Sequence, residues 1–189
     1  MTTTAHRPVP AQTPAADPVA AITETTAAAR AARYVLAGLR LALGWTFLWA
    51  FLDKLFGLGF ATEEKAAWIN GGHPTEGFLS FAAAGPFKDF YNGIAGAAWA
   101  DWMFMTGLLG IGLALILGVG MRIAAAAGAT LLVLMWTAVL PPENNPFMDD
   151  HLIYAAVLVV LALVGAGNTF GFGKAWAKLP LVRKAPWLK

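Results

Sequence analysis

The chain has 189 residues, is 58% hydrophobic and has a mean hydropathy of +0.61, which is more apolar than an ordinary soluble domain of this length. Its net charge of +2, with no basic patch interleaved with aromatics, excludes nucleic acid as a partner. Cysteine is absent, so disulfides, thiolate metal sites, cysteine-ligated iron–sulfur clusters and dithiol relays are excluded, and any redox chemistry must use a bound cofactor or a partner.

Residues 1–18 are rich in Thr, Ala and Pro and contain no apolar run, which predicts a disordered tail. A signal peptide needs a continuous apolar core after a basic start; none occurs before Arg33, so the tail is expected to be retained. Alanine dominates from Val19 to Arg33, predicting helix that extends the first span inward. Together residues 1–32 read as an N-terminal tail.

The first span is predicted over about 34–60, YVLAGLRLALGWTFLWAFLDKLFGLGF. Only about 20 Å of helix separates Arg40 from Asp53, whereas the hydrocarbon core is about 30 Å thick, so at least one end holds charge below the headgroups. The connection 61–101 is charged at its ends, yet its middle, AAWINGGHPTEGFLSFAAAGPF, is too apolar for a solvated loop and too broken by Gly and Pro for a span. Short interfacial or re-entrant helices are expected there.

The second and third spans, about 102–120 and 123–140, are joined by a turn at Met121 and Arg122 and must be antiparallel neighbours. Gly110, Ala114 and Gly118 on one, with Ala124 and Gly128 on the other, form stripes suited to close helix approach. The fourth span, about 151–167, follows PPENNPFMDD, where Asp149 or Asp150 can cap its amides. Residues 171–189 read as a basic tail.

The prediction is therefore all-α: an integral membrane four-helix bundle over 33–170 with a long extracytoplasmic loop between spans one and two. Arg7, Arg30, Arg33, Arg122, Lys174, Lys178, Arg183, Lys184 and Lys189 fall on one side, against Lys65 and Lys88 on the other. The positive-inside rule then places both termini in the cytoplasm, in a multi-pass protein of the cell membrane.

Several positions stand out as chemistry. A guanidinium at membrane depth, as at Arg40, costs at least about 2.5–3.5 kcal/mol and is normally kept for a partner or pathway, the alternative being that it snorkels to the inner headgroups. Asp53 and Lys54 read either as a helix-end pair or as an anion or polar-headgroup site meeting the loop and the Asp149, Asp150, His151 cluster at one bundle mouth. His151, beside the carboxylates of Asp149 and Asp150, suits proton exchange with a quinol or a polar ligand, the alternative being a plain helix start. His73, within NGGHP, could pair with His151 on a haem, but no span carries paired histidines. The flavin and nicotinamide glycine fingerprints are absent, and no metal site is expected. A quinone ring could stack on one of the tryptophans, without the spacing saying which.

RLALGWTFLWAFLDKLFGLGF (40–60), WINGGHPTEGFL (68–79) and DDHLIYA at the start of the fourth span resemble the DoxX/DoxD family of membrane proteins, and within it the DoxD subunit of thiosulfate:quinone oxidoreductase. The resemblance implies a membrane subunit, paired with a small partner subunit or a larger redox complex, that oxidises thiosulfate to tetrathionate and reduces membrane quinone. On that implication Arg40, Asp53, Lys54, Trp68 and His73 would bind substrate, and His151 would handle the quinol proton with Asp150 orienting it. Two other functions remain open: a non-catalytic anchor or accessory subunit of a redox complex, and a small anion transporter that uses Arg40.

Overall fold

A computed structural model describes residues 18–189, with side chains from Thr26 onward; the tail expected over residues 1–17 lies outside the described residues. Contacts divide the chain into a unit of residues 1–32 and a unit Arg33–Lys189, and the packing below belongs to the second. The described residues are all-helical. The long helices are α1 (Pro18–Phe56), α3 (Ala98–Leu117) and α4 (Met121–Ala138), with a shorter α5 (Asp150–Leu163). Three short helices accompany them: α2 (Lys88–Ile94), α6 (Gly173–Trp176) and α7 (Pro180–Lys184). Among the described residues three helices are long and apolar enough to cross a membrane: Thr26–Phe56, Ala98–Leu117 and Met121–Ala138.

Glycines set where these helices stop. Gly118 takes the left-handed conformation, with φ of 70°, directly after α3, and Gly165 does so after α5, with φ of 65°. Glycine carries no Cβ penalty there. Hydropathy alone places each helix end a few residues late, because Gly and Ala count as apolar: the first span ends at Phe56 rather than 60, and α5 at Leu163 rather than 167. At 14 residues, α5 is about 21 Å long. Its start is capped by Asp149, which accepts the N–H groups of His151 and Leu152 at 3.1 and 3.3 Å.

One apolar core joins the helices, with Leu43 and Phe47 of α1, Met105, Leu108, Ile111 and Leu115 of α3, Leu132 of α4, and Leu158 and Leu161 of α5. Lipid gives helices no hydrophobic incentive to associate, so close approach through small residues matters. Part of the expected stripe makes this approach, together with Gly112, which lies outside it. A Cβ on Gly112 would lie 2.8 Å from the Leu48 nitrogen of α1, and one on Gly128 2.7 Å from Leu158 Cδ1 of α5, whereas one on Gly110 would meet nothing within 4 Å. A four-residue repeat marks a stripe on a helix but not the neighbour that the stripe faces.

The connection 57–97 is folded: single turns at Glu64–Ala66, Trp68–Asn70, Phe78–Ala82 and Gly85–Phe87 lead into α2. Its far end docks on α4, where the Ala84 N–H donates to the Ala138 carbonyl at 2.8 Å. Residues 171–189 fold back on the start of α4: Val182 is fully buried, the Arg122 N–H donates to the Lys189 carbonyl at 2.8 Å and the Arg122 guanidinium to Pro186 at 3.2 Å.

Gly112→Ala is expected to force α1 from α3 and lower stability by about 1–3 kcal/mol, while Gly110→Ala is neutral or slightly stabilising. Thermal melts of both variants in one detergent check this.

Candidate functional site

Arg40 is fully buried and, among the described residues, faces no carboxylate. Its Nη1 donates to the carbonyls of Leu115 and Ile116, the latter at 3.0 Å, and its Nη2 to those of Thr169 and Phe170 at 3.2 and 2.8 Å. The last carbonyls of a helix have no partner within it and carry the negative end of its dipole. The guanidinium therefore fastens the end of α3 to the turn that follows α5. Among the described residues its Nε has no hydrogen-bond partner. This arrangement is neither the snorkelling nor the ligand contact weighed from the sequence, since all four bonds go to main-chain oxygens. A Cβ on Gly118 would lie 2.8 Å from Nη1, which explains a second requirement for glycine at that turn.

Asp53 is also buried, and it accepts the N–H groups of Phe60 and Ala61 at 3.2 and 2.9 Å, so it holds the chain as it leaves α1. Lys54 is partly exposed and, among the described residues, makes no hydrogen bond or salt bridge, though it feels the charge of its neighbour Asp53. His151 Nδ1 lies 2.6 Å from Asp149 Oδ2; Asp150 is exposed and bonds neither. Among the described residues no hydrogen bond joins Asp53 or Lys54 to the Asp149–His151 pair. Trp68 meets Trp102 edge to face, with ring centroids 4.7 Å apart. Farther out, Lys65 Nζ and Glu63 pair at 2.8 Å on the surface, and that bond holds Glu63 below the usual carboxylate range.

The residues that do converge surround Asp101, in the first turn of α3, which is 2% exposed. Its Oδ1 accepts the Thr75 N–H at 2.9 Å and the Thr75 hydroxyl at 2.6 Å, and its Oδ2 lies 2.9 Å from His73 Nδ1. Thr75 Oγ1 in turn accepts the Gly96 N–H at 3.2 Å. A carboxylate near the amino end of a helix complements its dipole, and this one also ties the NGGHPT segment to α3. The His73 side chain is 51% exposed.

Beside this cluster lies an apolar chamber of about 600 Å³ between residues 74–94 and the facing sides of α3 and α4. Thr75, Phe78, Trp99 and Met103 line it, and Gly107 leaves it open, since a Cβ there would meet nothing within 4 Å. Tyr91, also in the wall, has its hydroxyl 2.6 Å from Thr137 Oγ1 and 3.0 Å from the Leu134 carbonyl. The volume and lining suit a flat, mostly apolar molecule with a few polar atoms. A smaller cavity of about 270 Å³ lies at the opposite helix ends, beside Arg122 and Trp176. Among the described residues no three His, Cys, Asp or Glu side chains gather in a group that could hold a metal ion.

The profile of the DoxX family matches residues 35–141, more than half of the chain. The chain belongs to the DoxX family. Comparison with curated proteins and with solved structures gave no match. With its apolar helices, family membership makes this DoxX chain a membrane protein. The matched span contains Arg40, Asp53, the Asp101 cluster and all of the chamber lining; Asp149 and His151 lie beyond it. Sequence reasoning had picked out His73 but not Asp101, Thr75 or Tyr91. Asp101 read as one more loop charge; the available signal was an acid inside AWADW, at the start of an apolar run, where a carboxylate is buried at a cost unless something satisfies it.

In this DoxX protein Arg40→Ala is expected to cost on the order of 3 kcal/mol or more by orphaning buried carbonyls. Arg40→Lys should lose most of the same stability, because one ammonium cannot span four carbonyls although the charge is kept. Thermal unfolding in detergent decides it: an Arg40→Lys protein as stable as the parent would return Arg40 to a charge-only role.

Proposed function

We propose that this DoxX chain is the membrane subunit of a quinone-linked oxidoreductase, and that its chamber receives the quinone head group as electron-accepting substrate. The single observation carrying this reading is the juxtaposition of an apolar space of about 600 Å³ with a buried carboxylate that reaches it through Thr75 and reaches water through His73. A quinone ring needs apolar walls and, as electrons arrive, a source of protons. The donor implied by the DoxD likeness is thiosulfate, and Lys54, free of hydrogen bonds on the partly exposed end of α1, is the cation suited to receive it. Arg40 is not, since its guanidinium is occupied by carbonyls. Transfer from such a donor also calls for a partner subunit, because the chain has no cysteine.

The proposal includes a four-span arrangement in which α5 completes the fourth crossing, with both termini cytoplasmic and the 57–97 connection outside. The distribution of Lys and Arg supports it. Single cysteines at Ser80 or Asn144 are expected to react with an impermeant maleimide on intact cells, and one at Ala175 is not; the reverse pattern would invert the orientation.

Gly107→Phe is expected to fill the chamber without touching the core. In membranes carrying the chain and its co-purifying partners, thiosulfate-dependent reduction of decylubiquinone should fall at least about tenfold, with thermal stability unchanged. Undiminished reduction in a folded Gly107→Phe protein would remove the quinone from the chamber. Absence of thiosulfate-dependent reduction in the parent would favour an accessory subunit instead.

A further inference from the structure

Resting on the quinone reading, we infer that Thr75, Asp101 and His73 form a proton path from water to the chamber. The three groups are contiguous: Thr75 Oγ1 to Asp101 Oδ1 at 2.6 Å, and Asp101 Oδ2 to His73 Nδ1 at 2.9 Å. They also differ in access. Thr75 is 6% exposed and lines the chamber, Asp101 is 2% exposed, and the His73 side chain is 51% exposed. A carboxylate needed only to staple the loop is already served by the N–H and hydroxyl of Thr75. Staple chemistry does not call for a titratable ring on its other oxygen, half in water.

Reduction of one quinone takes two electrons, which come from the donor, and two protons, which this path supplies one at a time. His73, as imidazolium, passes its Nδ1 proton to Asp101, and water reprotonates the ring. The Asp101 carboxyl turns about Cβ–Cγ and gives that proton to Thr75 Oγ1 as the Thr75 hydroxyl releases its own to the oxygen of the reduced quinone. The cluster then returns to its starting state. Asp101 and His73 act through Thr75, so they are positioning and relay groups; Thr75 is the residue that would touch substrate.

The test compares His73→Ala, His73→Gln and Asp101→Asn with the parent, in membranes carrying the full chain and its partners, using thiosulfate and decylubiquinone. His73→Ala is expected to lower kcat about 100-fold with little change in KM for decylubiquinone, and millimolar imidazole should restore a large part of the rate without affecting the parent. His73→Gln keeps a hydrogen bond to Asp101 and cannot relay a proton, so it should be equally slow while melting as the parent does. Asp101→Asn should be slow and unresponsive to imidazole. A folded His73→Gln protein at the parental rate, or a loss in His73→Ala that imidazole leaves untouched, would overturn the path and leave the quinone reading standing. A parent that does not reduce decylubiquinone at all would fail the quinone reading, and the path with it.

Discussion

Hydrocarbon offers no hydrogen-bond partner, so a charge kept beneath the headgroups must be met by the protein itself, and the fold follows from how three such charges are met. Arg40, Asp53 and Asp101 are all buried, and the charged group of each lies at a helix end. The cation meets carbonyls at the carboxyl end of α3 and in the turn after α5; one anion meets free N–H groups just past α1, and the other sits in the first turn of α3. The sign of each charge matches the main-chain group left unpaired beside it. Among the described residues neither Arg40 nor Asp53 sits in a salt bridge, whereas Asp101 has the His73 ring nitrogen 2.9 Å from one of its oxygens. The charges of Arg40 and Asp53 are each spread over several main-chain dipoles, and that of Asp101 over one N–H, one hydroxyl and the imidazole, groups that solvate each charge as water would.

This division of labour separates the two ends of the bundle. At the Arg40 end the side chains close the structure: glycines at 118 and 171 press main chain against the guanidinium, and Gly167 lies against Gly118, leaving a small cavity beside Arg122. At the Asp101 end the carboxylate holds an apolar loop across α3 while Ala84 fastens the same loop to α4. A loop held at two points over a helix pair that contains Gly107 leaves a space rather than a seal, and the chamber is that space. Its chemistry therefore depends on Asp101 twice, once for shape and once for the acid that it brings to the wall.

Much of the helical framework could be read in the sequence, because apolar runs bounded by Gly, Pro and charge specify helices of membrane length with little ambiguity. The breaks in the 61–101 segment were legible for the same reason. Helix ends were less so, since hydropathy does not distinguish an apolar glycine inside a helix from one that terminates it. The site was legible only in part. His73 stood out as one of few histidines, but the partner that makes it notable, Asp101, lies 28 positions away, and composition cannot reveal which of several acidic residues a folded loop will bring to it. Arg40 was visible as an intramembrane charge; its use for main-chain carbonyls depends on where α3 and the turn after α5 end in space, which no local pattern records.

The account turns on whether a quinone occupies the chamber beside Asp101. Photolabelling of the full chain in lipid nanodiscs with an azido-quinone, followed by mapping of the modified peptides, measures this most directly. The account predicts adducts on residues lining the chamber, around Trp99–Gly107 of α3 and Phe78–Tyr91 of the loop, that disappear when decylubiquinone competes. Competed adducts confined to the Arg122–Trp176 end or to the lipid-facing side of α1, with none in the chamber, would contradict it.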